Sequence, residues 1–464
     1  MADTQMTTEY RVKERIKFGE IFGYGLGDLA NNLVYGLVSG YATYYYTNSA
    51  GMAAGAVGTM FMISRIFDGI SDIIMGLIID RTKSKHGKAR PWILWMAIPF
   101  AIAVVLQFTV PQSFSMTGKL IYAYITYNLL STIIYTASNQ AYGTLNVLIT
   151  DNPQDRAKLS ISRMALAMIG VIGMNATIMP LIRIFGNGSR AWTIVAAIMG
   201  AISIVLFLIT FWSTKERLGH DEEPEANTVK KEKTDSKAAV KALFRNKYWV
   251  NRIIFSLAIT IATMTSASNV YYAQYWLGNP DLTGMISIVN VIPMLVALAL
   301  VNPLLKKIGN RNTSLVGAVI MVVGFIIQFL FPASLTMVLL GTGIRGFGTG
   351  LASALTAVML GDTIDYGEWK SGIRTDGLVY SASTFGAKVG NGVATASLGW
   401  ALAIGSFDAS LAVQAAPALN AIRFVFTVLP LIAAALAVFL NLIYDLDKKM
   451  PQILHELKER NSNS

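Results

Sequence analysis

Two aspartates lie inside one long apolar segment, and their spacing indicates the chemistry of this chain. Asp68 and Asp72 fall in the run 57–80, VGTMFMISRIFDGISDIIMGLIID, which can cross a bilayer because about 20 apolar residues suffice. A carboxylate in hydrocarbon is costly, so such residues usually face a bundle interior and bind ions. Arg65, Asp68 and Asp72 are spaced i, i+3 and i+7, on one face of a helix. The pattern predicts a cation-coupling site in a secondary transporter; the alternative is a buried structural ion pair.

The composition places the chain in a membrane. It is 53% hydrophobic and 14% charged, whereas globular domains carry about 25% charged residues. The net charge of +11 comes mostly from short polar segments between apolar runs, which is typical of membrane proteins, so we expect no nucleic-acid partner. The absence of cysteine excludes disulfides, thiolate metal sites and cysteine nucleophiles. Residues 1–17 are polar, so the first apolar run is expected to be an uncleaved span.

Twelve apolar runs, separated by turn residues or charge, predict an all-α protein with twelve transmembrane helices. The runs lie near residues 20–46, 53–79, 92–111, 118–149, 160–184, 191–213, 250–277, 283–305, 313–331, 335–361, 377–404 and 419–444. The glycine-rich stretches 23–28 and 341–350 predict close helix packing or bends.

The distribution of lysine and arginine predicts the topology. These residues are dense in 81–90, in 215–247 and in both tails, and absent from alternate breaks such as 47–52 and 332–334. Because cytoplasmic loops carry the excess of positive residues, both termini should be cytoplasmic. The predicted domains are a tail, a six-helix bundle, a linker, a second six-helix bundle and a tail, at 1–19, 20–214, 215–249, 250–444 and 445–464.

The two halves resemble each other and the major facilitator superfamily. A basic loop follows the second span, and another, VNPLLKKIGNRN, follows the eighth. The first fits the superfamily's loop pattern G-x-x-x-D-R-x-x-x-x-x-G-[KR]-x-[RK]. The resemblance implies cytoplasmic gate residues at Asp80, Arg81, Lys88 and Arg90. In a second charged cluster, DTIDYGEWKSGIR, we expect gate salt bridges from Asp362, Asp365 and Arg374.

A more specific resemblance covers nearly the whole chain. It is carried by YGLGDLANNLVYG, YYYT, RIFDGISDIIMG, GKARPWIL and DTIDYGEWKSGIR, followed by Tyr380 and Lys388. On these segments the chain is identified as a member of the glycoside–pentoside–hexuronide:cation symporter family. The resemblance implies two pseudo-symmetric six-helix bundles and the transport of a sugar with H+ or Na+, without any other cofactor. It also implies a cation site that includes Asp68, Asp72, Ser71 and Thr136.

The same resemblance and the polar residues of the spans suggest the sugar site. By family position, Arg163 and Lys388 are expected to line it. The amides and hydroxyls expected beside them are Asn32, Asn139, Tyr35, Tyr142 and Tyr380, with helix packing as the alternative role. Some family members have sugar-binding aspartates where this chain has Asn32 and Asn139, whereas glucuronide-carrying members have asparagine. We therefore expect a different grip on the sugar from that of the aspartate-containing members.

Charge and ligand reach suggest the substrate and the ion. Three membrane cations, Arg65, Arg163 and Lys388, exceed the two carboxylates by one, and an unpaired buried charge is costly. An acidic sugar, such as a uronide, would complete the pairing. The alternative is a neutral pentoside or glycoside with sodium coupling.

For the ion, a proton is favoured because two close carboxylates can share one. Ser71 stands where a sodium-holding family member has the longer asparagine, and its side chain is expected to fall short of the ion. Lys388 is expected to pair with Asp68 or Asp72 when no cation is bound, because it lies deep inside a span.

Other classes fit less well. All three histidines, His86, His220 and His455, fall in polar segments, and no metal or nucleotide motif is visible. A polytopic membrane transferase would need such groups, and a channel would need a re-entrant filter. We therefore expect a monomeric, multi-pass transporter of the bacterial cytoplasmic membrane, not an enzyme, with the bilayer and a small sugar or glycoside as its partners.

Overall fold

The computed structural model describes residues 15–218, 243–263, 266–372, 376–411 and 413–462, and the regular structure in these ranges is entirely helical. Arg374 and most of the predicted linker lie outside the described residues.

The N-terminal half contributes six membrane segments. Two of them include a π-helical stretch, which is a local widening of the helix by one residue. In chain order the elements are α1 (Phe18–Tyr44) with a π turn (Tyr45–Ser49), α2 (Ala54–Arg81), α3 (Arg90–Gln107), α4 (Met116–Asn128) with a π segment (Leu129–Tyr135) and α5 (Thr136–Ile149), α6 (Pro153–Ile184) and α7 (Ser189–Ser213).

The C-terminal half repeats this plan and adds a short helix at its end. The elements are α8 (Lys247–Thr263), α9 (Ser266–Tyr275), α10 (Leu282–Leu330), α11 (Leu335–Ala354), α12 (Thr356–Ser371), α13 (Asp376–Ile404), α14 (Ala416–Arg423) with a π turn (Phe424–Val428), α15 (Leu429–Leu442), a 3-10 turn (Leu446–Lys448) and α16 (Met450–Ser462).

The long helix α10 is two membrane segments joined by a sharp kink. Gly309 has φ of +79° in its middle, a conformation that glycine adopts at little cost. When α10 is counted as two segments and the interrupted helices are joined, the described residues form twelve membrane segments. The short helix α16 follows them. Within the described ranges, seven helices are long and apolar enough to cross a membrane by length and composition alone. The predicted all-α architecture is confirmed.

Several helices begin with a side-chain cap in the breaks that the sequence predicts. The side chains of Ser115, Asn152 and Ser334 each accept a hydrogen bond from a backbone N–H in the first turn of the helix that follows. Such caps satisfy donors that have no partner inside the helix.

Glycines bring α11 against the second half of α10. A Cβ added to Gly324 would lie 2.6 Å from the Gly341 carbonyl oxygen, and one added to Gly348 would lie 2.5 Å from the Gly317 carbonyl oxygen. The two backbones are therefore in direct contact, as small residues allow between membrane helices. The close packing predicted for 341–350 is confirmed.

The chain divides into two compact units, and two helices are shared between them. Unit 1 contains the described residues of Met1–Val38 and Phe67–Asn227, and unit 2 those of Ser39–Ile66 and Thr228–Ser464. The end of α1, its π turn and the start of α2 thus pack within unit 2. We call these residues, 39–66, the hairpin. The predicted boundaries of the two six-helix bundles stay a prediction.

The first basic loop is fastened to the end of α7. The Glu216 carboxylate accepts hydrogen bonds from the backbone N–H groups of Lys88, Ala89 and Arg90, at 2.7 to 2.9 Å. The Arg90 guanidinium donates to the Phe211 carbonyl oxygen in the last turn of α7, at 2.7 Å. An acid at a helix start and a cation at a helix end both oppose the partial charges of those ends.

The second basic loop is held by the same exchange in unit 2. The backbone N–H of Arg311 donates to the Asp447 carboxylate at 2.8 Å. The Arg311 guanidinium donates to the carbonyl oxygens of Asn441 and Leu442, at 2.8 and 2.6 Å, where α15 ends. The two halves therefore share this local device as well as their order of helices.

Candidate functional site

Helix α2 turns its acids away from its most exposed face. Asp68 is 7% exposed, and Asp72 is half-buried. The large exposed side chains of the helix are Ile63, Ile66, Phe67, Ile70, Ile74, Leu77 and Ile78. An apolar face of this kind suits contact with lipid. Asp68 and Asp72 thus both lie on α2, and their cation-coupling role stays a prediction.

Two threonines from the fourth membrane segment meet the two acids. The Thr132 hydroxyl donates to the Asp68 carboxylate at 2.5 Å, and the Thr136 hydroxyl donates to the Asp72 carboxylate at 3.4 Å. The two acids are four residues apart, and so are the two threonines. Four residues are about one helical turn, so each acid on α2 meets one threonine of the fourth segment. Ser71 lies beside them, and its hydroxyl is 3.4 Å from that of Thr136. The structure thus brings the four predicted cation-site residues together.

Thr132 is part of this site and was missed by sequence reasoning. It lies in the π segment Leu129–Tyr135, and its side chain is buried. Such π segments are rare and frequently lie at functional sites. A signal was nevertheless present, because Thr132 precedes Thr136 by the same four residues by which Asp68 precedes Asp72.

Unit 1 also contains an ion pair between α1 and α6. The Arg163 guanidinium is 3.2 Å from the Asp28 carboxylate, whose side chain is 11% exposed. Asp28 was missing from the charge count made on the sequence. With it, three carboxylates balance Arg65, Arg163 and Lys388. Among these six residues the charges cancel, and Arg163 has a carboxylate partner within the protein.

Tyr142, predicted to bind sugar, is used in packing. Its ring stacks on that of Tyr24 with the centroids 4.6 Å apart, and each hydroxyl donates to the other residue's carbonyl oxygen, at 2.8 and 3.3 Å. The Arg163 guanidinium lies over the Tyr142 ring, 5.1 Å from its centroid. In this state Tyr142 supports Arg163, and its contact with sugar stays a prediction.

The other predicted sugar-site residues of unit 1 differ in the contacts that their side chains make. The Asn32 amide donates to the Asp28 carbonyl oxygen one turn earlier in α1, at 2.8 Å. The Tyr35 ring stacks on Tyr135 at 4.8 Å. Asn139 is half-buried, and its side chain makes no hydrogen bond within the part of the chain that the structure describes. Of these residues, Asn139 offers the most available polar group.

The remaining predicted residues lie in unit 2 or at helix ends. Lys388 is half-buried within α13, and Tyr380 belongs to the same helix. Asp80 and Arg81 lie at the end of α2, and Lys88 binds Glu216 through its backbone. Asp362 and Asp365 lie on α12. Arg374 is outside the described residues. The gate and sugar roles of these residues stay predictions.

Two buried arginines in unit 2 were also missed. The Arg252 guanidinium donates to the Asn441 side chain at 2.9 Å and lies over the Tyr444 ring at 4.1 Å. The Arg345 guanidinium lies 5.1 Å from the ring centroids of both Phe325 and Phe426. Amides and aromatic faces thus stabilise these charges.

The donors around Asp68 and Asp72 suit a small hard cation. They are carboxylate and hydroxyl oxygens, which such ions prefer, without the imidazole or thiolate that transition metals select. Among the described residues, no group of three or more histidines, cysteines, aspartates or glutamates could hold a metal ion. The site therefore fits a proton or an alkali cation.

Comparison with known sequences places the chain among transporters. The family described as MFS/sugar transport protein matches residues 23–448. An isoprimeverose transporter from Lactiplantibacillus pentosus is 36% identical, over 97% of this chain and 93% of that protein. A glucuronide carrier protein homolog from Escherichia coli is 31% identical, over 97% of each chain. A putative glycoside/cation symporter from the same organism is 31% identical, over 97% of this chain and 95% of that protein.

Solved structures share the fold at low sequence identity. The nucleoside transporter NupG superposes with a TM-score of 0.61 at 13% identity, over 92% of this chain and 100% of that one. A bacterial homolog of the human lysosomal transporter Spinster gives 0.63 at 14% identity, over 93% and 96%.

Proposed function

Because the chain belongs to the MFS/sugar transport protein family, and is thus a multi-pass membrane transporter rather than an enzyme, we propose that it carries a sugar or glycoside into the cell together with a cation. The observation that carries the proposal is the pair of membrane acids on α2, each bonded to a threonine hydroxyl. The relatives named isoprimeverose transporter and putative glycoside/cation symporter support the same assignment.

The cation is proposed to bind at Asp68 and Asp72, with Ser71 and Thr136 beside them. Two carboxylates in a membrane interior are costly when both are charged. A proton or sodium ion reduces that charge and orders the residues around it. If cation binding thereby strengthens sugar binding, sugar must strengthen cation binding by the same factor. This reciprocity is what lets an ion gradient drive uptake.

The favoured substrate is an uncharged glycoside. The 3.2 Å pair between Asp28 and Arg163 gives this arginine a carboxylate within the protein, so a uronide is not needed to pair it. Asn139, whose side chain is half-buried, would hydrogen-bond sugar hydroxyls. A glucuronide remains the second substrate to test, since glucuronide-carrying relatives were expected to share the asparagines at 32 and 139.

The setting follows from the family and the charge distribution. We propose that the protein works as a monomer in a bacterial cytoplasmic membrane with both termini in the cytoplasm, and that it exposes its sugar site to each side in turn.

Uptake into proteoliposomes tests the proposal. Purified protein would be offered isoprimeverose and a methyl glucuronide under imposed sodium or proton gradients. We expect one gradient to drive accumulation of the sugar. Asp68→Asn and Asp72→Asn should each abolish accumulation while sugar-for-sugar exchange persists, since exchange does not need net cation movement. Asp408→Asn, an exposed acid in the loop before α14, is the control.

Accumulation that persists in both membrane variants would refute the cation site. Uptake by the unmodified protein that no cation gradient stimulates would refute symport.

A further inference from the structure

We propose that Thr132 is a direct ligand of the coupling cation and that it makes the site selective for sodium. The inference rests on the proposed symport function and adds a residue that the family resemblance did not assign. The geometry of the Thr132 hydroxyl and its two neighbours carries it.

The Thr132 hydroxyl lies between two acceptors. Its oxygen is 2.5 Å from the Asp68 carboxylate oxygen Oδ1 and 3.0 Å from the Asn128 side-chain oxygen Oδ1. The Asn128 amide nitrogen donates to the Tyr124 carbonyl oxygen at 2.8 Å, which orients the amide oxygen towards Thr132. A hydroxyl has one proton and two lone pairs, so it can serve only one of the two acceptors at a time.

This arrangement gives the hydroxyl two useful orientations. Without a cation, its proton goes to Asp68, as the short distance indicates. With a cation beside Asp68, the proton can turn to Asn128, and the lone pairs of Thr132 then face the ion. Asn128 acts as a positioning residue, because its side-chain oxygen accepts the hydrogen bond of the Thr132 hydroxyl in the loaded state without touching the ion.

Thr132 supplies the oxygen whose absence argued against sodium. That argument was the short reach of Ser71. A sodium ion replaces its hydration shell with several protein oxygens, and the site now offers Asp68, Asp72 and Thr132, with Ser71 and Thr136 at their side. A proton needs no such shell. We therefore expect the Thr132 hydroxyl to be essential for sodium-driven uptake and dispensable for proton-driven uptake.

Thr132 lies in a π segment, a feature that is frequent at functional sites. A π turn shifts the following side chains around the helix axis relative to a regular α-helix. In this structure the segment Leu129–Tyr135 lies directly before Thr136 and contains Thr132. Both threonines reach α2, and a hydroxyl lies against each acid.

The test compares the sodium dependence of sugar uptake in proteoliposomes at constant pH and membrane potential. Thr132→Val keeps the branched shape and removes the hydroxyl, so the sodium concentration for half-maximal uptake should rise by about tenfold or more. Proton-driven uptake should change much less. Thr132→Ser keeps the hydroxyl and should retain the sodium dependence of uptake seen in the wild type. Thr144→Val is the matched control, because Thr144 is half-buried on α5 and bonds only its own helix, at Gln140.

Three outcomes would overturn the inference. One is a wild-type protein driven by protons and indifferent to sodium. Another is a Thr132→Val protein whose half-maximal sodium concentration matches that of wild type. A third is equal loss of sodium-driven and proton-driven uptake in Thr132→Val. If Thr132→Val is not obtained folded, Thr132→Ala gives the same comparison. Failure of symport itself is distinct, because wild-type uptake would then respond to no cation.

Discussion

The ion pair between Asp28 and Arg163 changes the role that we expect for Arg163. Arg163 was expected to line the sugar site by family position. In the structure it is engaged by Asp28 at 3.2 Å and lies over Tyr142. A sugar that reaches Arg163 must therefore compete with a carboxylate already present, and an anionic sugar would meet Asp28 as a repulsive neighbour.

We predict that Asp28→Asn lowers uptake more than the double variant Asp28→Asn with Arg163→Gln. The single change leaves a half-buried cation without its carboxylate, and removing one partner of such a pair costs more than removing both. Uptake and thermal unfolding of the purified protein measure the effect. Lys158→Gln is the control, because the Lys158–Asp155 pair on the same helix has an exposed lysine and such pairs contribute little, about 0–1 kcal/mol. A double variant no better than the single one would contradict the pairing.

We predict that Lys388→Ala reduces uptake of neutral and acidic sugars equally. Asp28 already provides Arg163 with a carboxylate, and we expect Lys388 to balance the membrane acids rather than to bind a carboxylate on the sugar. Transport rates of isoprimeverose and a methyl glucuronide in the same variant measure this. Selective loss of the acidic sugar would instead support a uronide transporter.

At the scale of elements, each half carries the same fastening of a basic loop to a helix end. In unit 1 Glu216 accepts the loop N–H groups, and Arg90 binds the end of α7. In unit 2 Asp447 and Arg311 do the same at the end of α15. These bonds lie within each unit. The basic loops are therefore fixed parts of their own half, in addition to any gate contacts that their other side chains make.

We predict that Glu216→Gln destabilises the protein by about 1–3 kcal/mol, because buried hydrogen bonds from three backbone donors lose their charged acceptor. Gly87→Ala should act on the same contact: Gly87 has φ of +102°, and an added Cβ would lie 2.2 Å from the Glu216 carboxylate. Thermal unfolding in detergent measures both. Lys215→Gln, an exposed neighbour, is the control. Unchanged stability in both variants would show that the fastening contributes nothing.

At the scale of the whole molecule, the hairpin (residues 39–66) packs with the C-terminal helices in unit 2. The Thr47 and Tyr271 hydroxyls are 2.6 Å apart, and the Asn48 amide donates to the Tyr275 hydroxyl at 2.7 Å. Gly58 is in backbone contact with α13. A transporter that opens to each side in turn must break some contacts of this kind during its cycle.

We predict that a disulfide between Gly55→Cys and Ala403→Cys stops transport reversibly. A Cβ on Gly55 would lie 3.0 Å from that of Ala403, near the about 3.5–4.5 Å that a disulfide requires. The chain has no cysteine, so no other crosslink competes. Uptake should fall on oxidation and return on reduction, and the two single-cysteine variants are the controls. Full transport by the crosslinked protein would show that this contact persists throughout the cycle.

Much of this protein is determined by its sequence. The apolar runs are long because a helix must satisfy its backbone inside the bilayer, so twelve helices could be counted and the fold prediction is confirmed. Membrane acids are rare, so Asp68 and Asp72 could be chosen and their shared helix face derived from spacing. Capping residues and glycines likewise predict breaks and close packing from local chemistry alone.

Tertiary structure decided which groups meet. Asp28 lies within the first apolar run of the sequence, but only the packing of α1 against α6 shows that it pairs with Arg163. Thr132 precedes Thr136 by the same four residues that separate the two acids, but only the folded chain shows that its hydroxyl meets Asp68. Glu216 belongs by sequence to the start of a polar linker, and only the folded chain brings it to backbone donors about 126 residues away. Such contacts depend on partners distant in sequence, which spacing along one helix cannot reveal.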